Sequence, residues 1–175
     1  LPDEYYVVSA RAPYDLNPYG HAWYAINFDA DENKFSDIDQ AKESRDIIAK
    51  LINELISELP IDFQNVTLIG FSQGTILSYA VALSYPEKVK NVIALSGHIN
   101  TDLLVPGYEK NDFRHLNMFI SHGTVDQVIP VEWARKAPDL LKKLGIEATY
   151  KEYPIGHGVS PQNFYDFRNW LENHQ

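Results

Sequence analysis

The 175-residue chain has no cysteine. That absence excludes disulfides, thiolate zinc sites and a cysteine nucleophile together, and a cytoplasmic address fits it easily. Long apolar runs are missing as well. The longest, VTLI at 66–69 and NVIAL at 91–95, are strand-sized, so no membrane insertion is expected. The opening LPDEYYVVSA lacks the basic cluster ahead of an apolar stretch that a secretory signal carries. Positive charge is scarce: 15 Lys and Arg stand against 24 Asp and Glu, a net charge of −9. A polyanion meets repulsion from such a surface, which makes nucleic acid and anionic membrane poor partners. No Gly-, Ser- or Pro-rich linker, low-complexity tract or internal repeat interrupts the chain, so residues 1–175 are expected to form one domain. No grouping of His, Asp and Glu has the spacing of a metal site, and no glycine-rich phosphate loop occurs. Neither a metal nor a cofactor is expected.

What is present is an alternation of elements. Hydrophobic residues make up 45% of the chain and charged ones 22%, enough apolar material for a substantial core. Residues 5–9 (YYVVS) read as a short strand, followed by the loop ARAPYDLNPYG. Over 36–59, Ile38, Ala41, Ile48, Leu51, Ile52, Leu55 and Ile56 recur at three- and four-residue spacing, with Ser36 as cap and Pro60 as stop. VTLI reads as a strand buried on both faces. Residues 74–84 follow as a helix ended by Pro86. Further strands are expected at 91–95, 118–121 and 148–153. Further helices are expected at 131–144, ended by Gly145 with Lys142 and Lys143 in its last turn, and at 162–173. Strands alternating with crossover helices imply an α/β fold: a mostly parallel sheet flanked by helices in a three-layer sandwich.

Between VTLI and its helix lies Gly70-Phe71-Ser72-Gln73-Gly74. A G-x-S-x-G turn between strand and helix lifts its serine above the sheet edge, in a strained conformation at a helix N-terminus. Backbone N–H groups and the helix dipole there can stabilise an oxyanion, with the N–H of Gln73 as first candidate. A glycine-rich turn merely capped by Ser72 is the plainer alternative. Two later loops add to the motif. His122-Gly123-Thr124-Val125-Asp126 follows the strand at 118–121, and Gly156-His157-Gly158 follows the strand at 148–153. Both lie beyond the C-terminal ends of strands, where open α/β sheets build their sites.

A serine hydroxyl needs an imidazole to take its proton, and the imidazole needs a carboxylate to fix its tautomer. Ser72, His157 and Asp126 are the candidates for these roles. Their chain order, Ser…Asp…His, is that of α/β-hydrolases. His122 is expected to be structural, and His21, His98, His115 and His174 to serve surface or packing roles. Asp102 and Asp112 compete with Asp126 but fall in a variable-looking loop. Trp23 and Phe71 are candidates for a substrate-binding wall. Tyr24, Ile26 and Phe28 share the Trp23 region, and core packing is an equal reading for all of that segment.

GFSQG, HGTVDQVIP with its following helix, GHGVS and the early ARAP segment with its Trp together resemble the phospholipase/carboxylesterase family of small α/β-hydrolases, relatives of acyl-protein thioesterases. The resemblance runs from about Tyr5 to Leu171. It implies hydrolysis of short- to medium-chain esters or thioesters by an acyl-enzyme route, with no cofactor, often in a cytoplasmic homodimer. The family pattern also places a strand, a His-Gly-Gly-like oxyanion loop and a helix ahead of YYVVS, and these 175 residues do not contain them. The chain therefore reads as N-terminally truncated relative to the family, with a gap expected between YYVVS and VTLI. A fragment (the favoured reading), altered strand pairing and a second chain filling the gap are the three explanations. A binding or regulatory protein that keeps the fold while catalytically impaired is the alternative function.

Overall fold

The computed structural model describes residues 5–16, 18–28 and 34–175. The first long element is α1 (Ile38–Glu58), preceded by two short antiparallel hairpins: β1 (Tyr14–Asp15) with β2 (His21–Ala22), and β3 (Ile26–Phe28) with β4 (Lys34–Ser36). Neither hairpin is legible in the apolar pattern, because two- and three-residue strands carry no period. The cap of α1 is Asp37 and not Ser36: its carboxylate accepts the N–H of Gln40 at 3.0 Å, while Ser36 ends β4. The helix stops at Glu58, and Leu59 is extended as a residue before proline must be.

The rest builds one sheet. β5 (Thr67–Phe71), β6 (Asn91–Leu95), β7 (Asn117–Gly123) and β8 (Ala148–Tyr153) lie in that order, every pair parallel. Between and after them run α2 (Gln73–Ser84), α3 (Val131–Ala134), α4 (Ala137–Lys143) and α5 (Pro161–Glu172). The expected single helix over 131–144 is broken in two. Pro138 has no N–H to return to the preceding turn, so the chain loosens at Arg135–Lys136 before α4 begins.

Alternation along the central strands explains the layering. Val92 and Ala94 of β6, with Met118 and Ile120 of β7, enter a large core with Ala41 and Ile52 of α1, the apolar face of α2 and Leu141 of α4. Ile93, Leu95 and Phe119 point the other way, onto Phe167, Trp170 and Leu171 of α5. Both faces of β6 and β7 are thus covered, which is why NVIAL is apolar throughout. Among the described residues, no helix is long and apolar enough to cross a membrane.

Two expectations fail at the front of the sheet. Residues 5–9 form no strand, and Tyr6, Val7 and Val8 are exposed. A β-branched run needs a partner for its backbone groups, and no described strand lies beside it. VTLI is not buried on both faces either. β5 is the outer strand of the described sheet, and Ile69 is 49% and Phe71 43% exposed. Between residues 5–10 and β5 lies an open groove of about 800 Å³, floored by Ile52 and Leu55 of α1 and walled by Trp23, Ile69 and Phe71. It falls where the gap in the sheet is expected.

Candidate active site

The sharp turn from β5 into α2 is held by backbone and by one buried hydroxyl. Ser72 has φ 56° and ψ −117°, a conformation that costs a non-glycine residue about 1–3 kcal/mol. Its N–H donates to Leu95 O at 3.0 Å, tying the turn to the end of β6. Thr75 Oγ1 lies 2.7 Å from Gly70 O and 2.6 Å from Leu95 O, and accepts the Leu95 N–H at 2.9 Å. Thr75 is missed by the motif, which counts only the serine and glycines.

The Ser72 side chain makes no capping hydrogen bond, so the plain reading of a turn capped by this serine does not hold. Of the two glycines, Gly70 is the one that geometry demands. A Cβ there would overlap the backbone of Gly74 and Thr75, whereas a Cβ at Gly74 would meet nothing within 4 Å. Close approach of helix to strand at Gly70 is what makes the turn tight.

Asp126 and His157 come together from different loops. His157 Nδ1 lies 2.7 Å from Asp126 Oδ2, and the Asp126 side chain is fully buried. Its Oδ1 accepts the N–H groups of Val128 at 2.8 Å and Ile129 at 3.0 Å. Burial pushes the carboxyl pKa upward. The Ile129 N–H, the His157 ring and the Val128 N–H outweigh burial and hold it below the usual carboxylate range. Asp126 is therefore an anion at neutral pH, and the proton on His157 belongs to Nδ1, facing it.

The two loops are stitched by backbone: Thr124 N–H donates to Tyr153 O at 2.8 Å and Val125 N–H to Ile155 O at 3.2 Å. The glycines flanking His157 are not what permits this. A Cβ at Gly158 would meet nothing within 4 Å, and at Gly156 only Val125 O at 4.0 Å. Gly123, at the end of β7, is the tight one: a Cβ there would overlap the carbonyl oxygens of Ile155 and Gly156.

The ring of Phe71, the residue before Ser72, has its centroid 4.8 Å from the His157 imidazole. No hydrogen bond joins Ser72 to His157 among the described residues. Gln73 does two things. Its backbone N–H, in the first turn of α2, has no partner among the described bonds. Its side chain clamps the segment before β3: Oε1 accepts the Trp23 N–H at 3.1 Å, and Nε2 donates to Tyr24 O at 2.9 Å. Trp23 is thereby fixed at the groove wall beside Phe71, and the two candidate wall residues line one surface. Tyr24 is core, 2% exposed, and Ile26 faces solvent; the side chain of Phe28 lies outside what the structure describes.

Other candidates fall away or change role. Asp102 and Asp112 are exposed, Asp112 pairing with Arg114. His21 pairs with Asp15, His115 contacts Pro86 O, and His174 stacks on Trp170. His98 stands edge-on to Trp133, 4.9 Å between centroids. Burial, then the nearby His122 and Lys136, lowers its pKa to about 4. Among the described residues, no cluster of three His, Asp or Glu could hold a metal.

The phospholipase/carboxylesterase family model matches residues 2–175. The chain belongs to that family. It is 28% identical over 134 residues to a probable carboxylesterase of Oryza sativa subsp. japonica, covering 76% of this chain and 50% of that protein. It is 27% identical over 153 residues to acyl-protein thioesterase 1 of Debaryomyces hansenii, covering 86% of this chain and 66% of the yeast one. The chain thus spans half to two thirds of these relatives. Among solved structures, esterase PE8 superposes with a TM-score of 0.80 at 24% identity, over 94% of this chain and 76% of that one. Arabidopsis thaliana SOBER1 does so at 0.73 and 23%, over 93% and 80%. The structural likeness is one of fold, that of the α/β-hydrolases.

Proposed function

We propose that this member of the phospholipase/carboxylesterase family is a serine hydrolase of short- to medium-chain carboxylic esters or thioesters, with Ser72 as nucleophile, His157 as base and Asp126 as orienting acid. The observation that carries the reading is the 2.7 Å contact between His157 Nδ1 and the buried Asp126, together with a serine in a strained strand-to-helix turn. In the reaction, Ser72 Oγ attacks the acyl carbon as its proton passes to His157 Nε2. The resulting oxyanion takes the free N–H of Gln73 at the start of α2. Collapse expels the alcohol or thiol, which receives the proton from Nε2. Water, deprotonated by the same nitrogen, then releases the acid and restores Ser72. Trp23 and Phe71 flank the acyl chain, and the substrate is a small acyl ester or thioester.

Among the described residues the Gln73 N–H is the one candidate oxyanion donor, and loss of a second typically costs about 10²–10³ in rate. The test is hydrolysis of p-nitrophenyl butyrate and a butyryl thioester, with fluorophosphonate labelling, for the chain and its Ser72→Ala variant. The expected outcome is labelling of Ser72 and a loss of at least about 10³-fold in the variant. Turnover that survives in the variant would sink Ser72 as nucleophile. No labelling and no turnover in the unsubstituted chain would favour the binding-protein alternative.

A further inference from the structure

A second histidine lies near Asp126 Oδ2. His122 Nε2 lies 3.3 Å from Asp126 Oδ2, the oxygen that also contacts His157. The same nitrogen is 2.8 Å from Ile129 O, which can only accept, so the proton on His122 resides on Nε2. His122 is 1% exposed, and its Nδ1 has no partner among the described residues. A buried ring with one nitrogen left unpaired carries a cost of about 1–3 kcal/mol. A residue whose only task was to fill the core would avoid that cost by being apolar. What the ring gains is a single N–H given to the carbonyl of the loop that supplies the acid with two N–H groups.

We infer that His122 is the positioning residue of the acid: by donating to the Ile129 carbonyl it holds the turn whose N–H groups fix the Asp126 carboxylate with Oδ2 presented to His157. This rests on the assignment of Ser72, His157 and Asp126 proposed above. The arrangement is a fork. Val128 and Ile129 N–H groups grip Oδ1, His157 grips Oδ2, and His122, 3.3 Å from Oδ2, gives its N–H to the Ile129 carbonyl. With His122 removed, the Ile129 carbonyl loses its donor, and the turn that grips Oδ1 can shift and carry the carboxylate with it. The titratable groups near the ring are Asp126 in the loop, His98 after β6, and Glu152, its partner in register on β8.

The experiment uses His122→Leu, which removes the N–H, and His122→Gln, whose amide can place an N–H near the Nε2 position. Turnover is normalised to sites labelled by fluorophosphonate, so that unfolded protein does not count. The low-field proton resonance of the Asp126-bound His157 Nδ1–H is recorded alongside. His122→Leu is expected to lose about 10–100-fold in kcat per labelled site, with KM nearly unchanged and the resonance lost. His122→Gln is expected to recover most of both. A His122→Leu protein that keeps its kcat per site and its resonance would overturn the proposal. So would equal loss in both variants traced only to a lower Tm. The resonance does not depend on turnover. An unsubstituted chain that shows it but neither labels nor hydrolyses would refute the hydrolase reading, while the resonance in the two variants would still decide the role of His122.

Discussion

At His98 burial has a consequence that pH exposes. The folded ring is held neutral, with its pKa lowered to about 4, against an ordinary histidine value of 6.5. Between those values the unfolded chain binds a proton that the folded chain refuses. Stability therefore rises with pH through the window and is lost as pH falls from 6.5 toward 4. Urea midpoints taken across this range should decline toward acid, and His98→Phe should remove one proton's worth of that slope. An unchanged slope in the variant would place the acid sensitivity elsewhere. Nothing in the sequence around Gly97-His98-Ile99 marks this residue, because the Trp133 ring beside it lies 35 positions away.

The elements show why some glycines matter and others only look as though they do. GHGVS invites the view that Gly156 and Gly158 give His157 room, yet the tight contact is at Gly123, where β7 ends against the carbonyls of Ile155 and Gly156. Gly123→Ala should therefore destabilise by about 1–3 kcal/mol and displace the loop that carries His157, cutting turnover per labelled site. Gly158→Ala, with open space around its Cβ, should stay within about 0.5 kcal/mol. Thermal unfolding and labelled-site turnover of the pair test this, and two equal effects would refute it. Helix limits follow the same logic of local against distant causes. The ends of α1, α2 and α5 were legible from apolar spacing and prolines. The split of α3 from α4 was also written in the chain, at Pro138, and only the strong periodicity around it hid the break.

For the molecule as a whole, the open side of β5 is the dominant feature. Its outer edge has no strand beside it among the described residues, and Ile69 and Phe71 look into the groove. Unpaired edges with apolar side chains recruit other chains. The 175-residue chain should self-associate with rising concentration, and Ile69→Lys should suppress that association. Light scattering that finds a stable monomer at every concentration would contradict this. The same open side explains the failure of the YYVVS strand. Its composition suits a sheet, but strand formation depends on a partner, and composition does not supply one.

The sequence by itself determined the order of β5 to β8 with their helices, because apolar period and turn residues act over a few neighbours. It also singled out Ser72, Asp126 and His157, since a strand-to-helix turn and loops at strand ends are local signals read in chain order. Only the tertiary structure decided that Gly123 sets the loop spacing, that Gln73 clamps Trp23 and Tyr24, and that His122 bonds the Ile129 carbonyl of the loop that holds Asp126. Each of these joins groups through space, several of them across many residues of chain. Whether such groups meet depends on how strands stack and which way side chains turn, and no local pattern encodes that.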